Sequence, residues 1–278
     1  MTMMTTIQDS TANISFNTFF IHMAPPVLLA CLGILVVLAM MFKAELHTSI
    51  AHSFDHVVEY KNRRLWHKSL LVMLIMVVLF VVHHRIGWEP WLVAGACLTL
   101  LIFMSRKIEL EVVTGYLETP LLIFFISLFI LIGGVEQSGL LELVGESFRD
   151  TIIEHPKFAA LELLWIAAVP SALVDNIPFT AAMIPVLTGL QQEGVNVSVL
   201  WWALAMGVGM GGNGSHIGST ANVYIVTISE RLARETGDHT MAITPLMWLR
   251  KGTPAMLVTL ILCSLFVWFG YDYLFVAN

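Results

Sequence analysis

The chain has 278 residues, of which 57% are hydrophobic and only 12% charged, where a typical soluble domain carries roughly 25% charged residues. Lipid is therefore the solvent for most of its surface. A formal net charge of -6 offers no basic surface and excludes nucleic acid as a partner, and the sequence holds no Walker-type phosphate loop for ATP.

Residues 1–18 contain neither Lys nor Arg and no apolar core, so they read as an extramembrane tail and not as a secretory signal. Residues 19–42 form the first apolar run, matching the ~20 residues that a helix needs to cross a ~30 Å hydrocarbon core. Pro25 and Pro26 stand near its start, where proline is tolerated. Residues 43–68 are the only long polar segment. Within it Ile50, Phe54, Val57 and Val58 recur at helical spacing, which predicts an amphipathic linker helix on the cytoplasmic membrane surface. Residues 69–278 hold the remaining apolar runs and read as one structural unit.

Spans are expected at about 69–82, 91–104 and 121–135. Residues 158–173 and 179–190 are two short apolar arms around the polar turn Val174-Asp175-Asn176-Ile177-Pro178, a pattern that predicts a re-entrant hairpin over 157–190. Residues 199–230 would reach roughly 48 Å as one unbroken helix, longer than the core requires, and a broken helix is expected over 199–235. The last span is expected at about 253–275. The predicted fold class is an all-α polytopic membrane protein with about six spanning helices, one re-entrant hairpin and one broken helix. Cys31, Cys97 and Cys263 lie far apart in apolar runs, with neither disulfide nor zinc spacing.

The positive-inside rule supports this topology. With the linker inside and the hairpin returning to the side it entered from, Lys43, Lys61, Arg63, Arg64, Lys68, Arg106, Lys107, Arg231, Arg234, Arg250 and Lys251 fall inside. Only Arg85, Arg149 and Lys157 fall outside. A fully crossing hairpin would divide the charges evenly.

The chemistry concentrates in two polar interruptions. Asp175 is the only carboxylate between Glu162 and Glu193, and an Asp at a helix centre in lipid costs about 2.5–3.5 kcal/mol on insertion scales. Such a residue needs a cavity or a partner, which makes Asp175 a candidate carrier of a coupling proton or a contact for a cation. It also has a plainer reading as the cap of the arm that begins at Pro178. The second interruption holds Gly207, Gly209, Gly211, Gly212, Gly214 and Gly218 within twelve positions. That composition disfavours continuous helix, and unwound backbone at membrane depth survives only where it is buried or lines a cavity. Close packing of small residues is the rival reading, but it leaves unexplained the amides and hydroxyls of Asn213, Ser215, Ser219, Thr220 and Asn222. With Ser171, Asn176 and Thr180 from the hairpin, these are the candidate substrate or ion ligands. A sodium ion at Asp175, Asn176 and Asn213 is one expected arrangement, with no resident cofactor.

Two broken elements close together in sequence are the pattern of secondary transporters that bind at mid-membrane. The segments Ser171-Ala172-Leu173-Val174-Asp175-Asn176-Ile177-Pro178-Phe179-Thr180 and Gly211-Gly212-Asn213-Gly214-Ser215-His216-Ile217-Gly218-Ser219-Thr220-Ala221-Asn222 resemble those of the ion transporter superfamily. The resemblance is to the arsenite-pump and sodium/proton-antiporter (ArsB/NhaD-like) group, with the melanosomal P protein. It implies two inverted repeats, each with a hairpin and a broken helix, of which this sequence holds one set. Residues 19–42 then resemble the last helix of a first repeat, and no second Asp-Asn hairpin lies upstream. The expectation is a truncated or split carrier, completed by a first repeat or by a homodimer partner. The expected activity is cation- or proton-coupled antiport in a bacterial inner membrane. An arsenite or organic-anion permease is the alternative, and a non-transporting subunit of a split carrier is the alternative of another class.

Other signals are weaker. His52 and His56, at i, i+4 beside His47, have metal-ligand spacing, but a solvated helix face is by far the simpler reading. His83 and His84 sit at an expected external turn. His216 stands in the break and could relay a proton or make a local hydrogen bond. Ser215 beside it lacks a nucleophile elbow, so no enzyme is expected. Trp66, Trp88, Trp91, Trp201, Trp202 and Trp248 near span ends read as interfacial anchors.

Overall fold

A long uncharged apolar run can satisfy its backbone in lipid only as a helix. The computed structural model describes residues 16–43, 63–83, 85–105, 119–173 and 175–275, and these contain helices and turns with no strand among the described residues. In chain order the α-helices are α1 (Phe16–Met41), α2 (Arg63–Val82), α3 (Pro90–Ser105), α4 (Thr119–Gln137), α5 (Leu140–Glu154), α6 (Pro156–Leu173), α7 (Asn176–Gln192), α8 (Ser198–Gly211), α9 (Thr220–Thr236), α10 (Pro245–Phe269) and α11 (Tyr271–Leu274). By length and composition α1, α2, α6 and α10 can cross a membrane, and α3 and α4 are shorter apolar helices. The chain is an all-α polytopic membrane protein.

The amphipathic helix expected in the linker, with His47, His52 and His56, lies outside the described residues, as do the 1–15 part of the tail and His84. Arg63, Arg64 and Lys68, assigned to the linker from sequence, belong to the first turns of α2. Lys68 accounts for this by reaching across to donate to the Met104 carbonyl at 2.6 Å, at the end of α3. Helices α2 and α3 pack through Val72, Val93 and Cys97, in a unit that takes in the described residues of 16–19 and 63–125. Described residues of 20–43 and 126–275 form a second unit, which holds both interruptions.

In this second unit α10 serves as a ruler. Its start lies against the end of α1, where Lys251 Nζ donates to the Met41 carbonyl at 3.3 Å and covers the Phe42 ring at 4.3 Å. Tyr273, just beyond its end, lies against the start of α1 and donates to the Ile21 carbonyl at 2.6 Å. Pro25 and Pro26 stand inside α1 and not near its start as the sequence suggested, because the helix begins at Phe16. Pro25 cannot donate to Ile21, and the Tyr273 hydroxyl supplies the missing donor.

Helix α6 runs antiparallel to α10 in strict step. Lys157 lies over the Tyr271 ring at 5.4 Å, and Trp165 Nε1 donates to Ser264 Oγ at 3.0 Å. Further down, Ala172 and Met256 converge on Gly214. Where α6 ends, α10 continues towards Pro245 for roughly ten more residues, ~15 Å. The contacts of α1 along α10 run from Lys251 to Tyr273 just beyond its end, α6 ends opposite about Met256, and α6 is by length and composition able to cross a membrane. Its buried face, Ala159, Ala160, Leu163, Leu164, Ala167, Ala168 and Ser171, is mostly small, so α8 packs closely against it.

Two features were absent from the sequence reading. Helix α5 is amphipathic and packs on α7, with Gly145 against Leu190 and Val186. The α9–α10 connection turns at Gly237, whose φ of +71° suits glycine. Asp238 then caps a short 3-10 turn, accepting from the Thr240 amide at 2.9 Å and from its hydroxyl at 2.6 Å. The Thr240 hydroxyl first, then its amide and the His239 charge, hold the Asp238 carboxyl below its ordinary 3.8. A lowered acid stabilises the turn above its unfolded value and loses that contribution as pH falls through the folded one. Amide exchange at Thr240, compared with a buried amide of α8, should therefore accelerate selectively as pH drops below 3.8.

Candidate functional site

Both interruptions meet part-way along α10. On the hairpin side α6 ends at Leu173 and α7 begins at Asn176 with Asp175 as its N-cap. On the other side α8 ends at Gly211, Gly212–Gly214 form one 3-10 turn, and α9 starts after Ser219, whose hydroxyl accepts from the Asn222 amide at 3.3 Å. Gly209 and Gly211, assigned to the break from sequence, belong to the last turn of α8. Unwinding begins one residue later because a helix tolerates glycine where its neighbour must come close. Gly212, Gly214 and Gly218 lie in the break itself.

The seam between hairpin and break is polar and tightly coupled. Ser171 is fully buried and its hydroxyl has one proton to give. That proton goes to the Val208 carbonyl at 2.8 Å. The Asn176 amide, turned so that its nitrogen faces Ser171 Oγ at 2.5 Å, also donates to the Gly218 carbonyl at 3.1 Å. Ser215 donates to the Ala172 carbonyl. Asn222 is buried and donates to the carbonyls of Gly212 at 2.9 Å and Ser215 at 3.1 Å. Gly212 and Gly218 approach so closely that a Cβ on Gly218 would stand 2.5 Å from the Gly212 carbonyl oxygen.

Asp175 accepts from the Thr220 hydroxyl at 2.7 Å and, at a long 3.5 Å, from the Ile177 amide. It therefore both caps α7 and ties the hairpin to the start of α9. Among the described residues no Lys, Arg or His lies within ion-pair distance of it, since the ion pairs there are Arg149–Glu193, Arg231–Glu235 and Arg234–Glu230. No trio of His, Cys, Asp and Glu converges among the described residues; the groups that do meet here are carboxylate, hydroxyl and carbonyl oxygens, the ligand types of hard cations.

The candidate ligands thus divide in two. Ser171, Asn176, Ser215, Ser219 and Asn222 are engaged in holding the breaks together, and Thr180 donates to the Asn176 carbonyl of its own helix at 2.9 Å. Asp175 and Thr220 join hairpin to break while Asp175 retains acceptor capacity. The side chains of Asn213 and His216 have no partner among the described residues. Sequence reasoning missed Trp248 and Thr253 of α10, which donate to the carbonyls of Asn213 at 3.0 Å and Gly214 at 2.8 Å. The one available signal was a Gly252-Thr253-Pro254 step inside an apolar run.

The profile of the family described as citrate transporter (CitMHS) matches residues 1–207, a stretch that includes the whole hairpin. The chain belongs to the citrate transporter family. Within this family's wider ion transporter superfamily it is 27% identical over 273 residues to the "46 kDa membrane protein" of Mycobacterium leprae (strain TN), covering 94% of this chain and 61% of that protein. An "uncharacterized transporter" of Mycobacterium tuberculosis (strain ATCC 25618 / H37Rv) is 30% identical over 272 residues, with the same two coverages. The "P protein" of Mus musculus is 32% identical over 238 residues, 78% of this chain and 26% of that protein. The chain spans about three fifths of the length of the first two relatives. No solved structure matches it. This citrate transporter family member is thus an integral membrane protein of a transporter family.

Proposed function

We propose that the chain provides a hairpin-and-break binding site of a secondary transporter in a bacterial inner membrane, working by cation- or proton-coupled antiport. The observation that carries this reading is Asp175: a carboxylate at the meeting point of two broken helices, part-way along α10, with one hydroxyl and one distant amide on it and, among the described residues, no cationic side chain within ion-pair distance. An acid in that place suits a positive charge that arrives with the solute, either sodium or a proton. Asn213 and His216 offer the remaining uncommitted polar side chains. Movement of the hairpin against its surroundings would expose the site alternately to the two sides.

The test is sodium-driven proton flux in liposomes carrying an internal pH-sensitive dye. The intact protein should alkalinise or acidify the lumen when a sodium gradient is imposed, and Asp175→Asn should reduce the rate by about 10²-fold or more, the scale lost with an essential proton-transfer group. Equal flux and equal pH dependence in the variant would remove Asp175 from the coupling step.

The family's description favours a second reading, an organic-anion permease. A carboxylate solute beside Asp175 would need a cation between the two negative charges. Counterflow of radiolabelled citrate, with and without sodium, separates the readings, because antiport of cations alone gives no citrate counterflow.

A further inference from the structure

The carbonyls of the break are what a cation or a polar solute would meet, and α10 controls two of them. Trp248 and Thr253, five residues apart on α10, donate to the adjacent carbonyls of Asn213 and Gly214. The fit is specific. A Cβ on Gly252 would stand 2.6 Å from Trp248 Nε1 and 3.2 Å from the Asn213 oxygen, so only glycine admits the indole there. A Cβ on Gly214 would stand 2.5 Å from Met256 Sδ and 2.9 Å from Ala172 Cβ, so the break is wedged between α10 and the hairpin.

Thr253 also departs from the habit of threonine in this protein. Thr99, Thr180, Thr188, Thr227 and Thr236 each donate to the carbonyl four residues back in their own helix. Thr253 spends its hydroxyl instead on a carbonyl 39 residues away in sequence. Pro254 follows directly and cannot donate to the Arg250 carbonyl, which makes this turn of α10 the easiest to rebend.

We infer that Trp248 and Thr253 are positioning residues which hold the Asn213 and Gly214 carbonyls on α10, and so set which oxygens of the break are left for a bound cation. A carbonyl that already accepts a strong hydrogen bond is a poorer and differently aimed cation ligand. Releasing Gly214 therefore changes cation affinity without removing any group that carries charge. In its flux arm this inference rests on the transport reading; in its exchange arm it does not.

The experiment compares the full chain with Thr253→Val, Thr253→Ser and Trp248→Phe, using hydrogen exchange by mass spectrometry and sodium-dependent proton flux. Thr253→Val keeps the shape and loses the donor. Exchange across residues 212–218 should rise about tenfold in Thr253→Val and in Trp248→Phe, as local opening becomes easier with a buried carbonyl unpaired. Residues 159–168 of α6 should be unchanged, and Thr253→Ser should behave as the parent. The sodium concentration for half-maximal flux should shift at least about threefold in Thr253→Val with the maximal rate within about twofold, a split that general unfolding would not give. If Thr253→Val fails to fold, Trp248→Phe and the serine variant decide the exchange result between them. Unchanged exchange over 212–218 in the variants lacking a donor would overturn the inference, as would a half-saturating sodium concentration equal to that of the parent. Absent flux in the parent would sink the transport reading alone and leave the exchange result to judge the hold of Trp248 and Thr253 on the break.

Discussion

Gly211→Ala is expected to abolish most of the folded yield of this protein, whereas Gly209→Ala, two residues earlier in the same helix, should leave it intact or improve it. A Cβ at position 211 would stand 2.5 Å from both the Cα and the carbonyl oxygen of Ala168. Backbone cannot swing aside as a long side chain can, so α6 and α8 would have to separate. Their separation would loosen Leu164, Ala167 and Ala168 from Leu204 and Val208 in the main buried cluster. Overpacking of a tight site ordinarily costs about 1–3 kcal/mol, and a clash of backbone with backbone lies at or above the top of that range. At position 209 nothing lies within 4 Å of the Cβ, and alanine is up to about 1 kcal/mol better than glycine in a helix interior. Thermal unfolding of both variants in detergent, followed by size-exclusion chromatography, provides the measurement. Equal midpoints would mean that α6 and α8 are not in the close contact described above.

The same pair of glycines shows what could be read without coordinates. A run too long for one crossing, with glycine at half of twelve positions, announces a break because glycine lowers the stability of helix wherever it stands. Composition cannot say which glycines admit a neighbour and which belong to unwound chain, since both uses need a missing Cβ. Composition alone therefore places Gly209 and Gly211 in the break, whereas both are helical. Asp175 and Asn176 were legible for a related reason: a carboxylate and an amide in an apolar run are costly unless something meets them. What meets them was not legible. Thr220 and Gly218 face the hairpin only because two segments about 45 residues apart come together in space. Trp248 and Thr253 are ordinary residues for a spanning helix, and a tryptophan near a span end has an adequate explanation as an interfacial anchor. Their role appears only when α10 is laid beside the break. Helix α5 leaves no hydropathy run because charged residues recur at every turn along its sequence, away from its apolar stripe.

Asn222→Ala and Asn213→Ala test whether the division between groups that build the site and groups that remain open to a solute is correct. The Asn222 amide is buried and donates to two carbonyls, those of Gly212 and Ser215. Alanine would leave the Gly212 carbonyl without that donor inside the protein and the Ser215 carbonyl with only the long contact from the Gly218 amide at 3.4 Å, at about 1–3 kcal/mol for the buried group left unpaired. Asn222→Asp should do no better despite its size, since an ionised carboxylate has only acceptors to present to two carbonyl oxygens. The Asn213 side chain, with no partner among the described residues, carries no such burden. Asn213→Ala should therefore change stability by no more than about 0.5 kcal/mol while lowering sodium-driven flux. Unfolding midpoints and flux measured on the same preparations would separate the two residues. If Asn222→Ala were as stable as the parent, the break would not depend on side-chain donors for its shape. If Asn213→Ala transported normally, its amide would have no part in holding the solute.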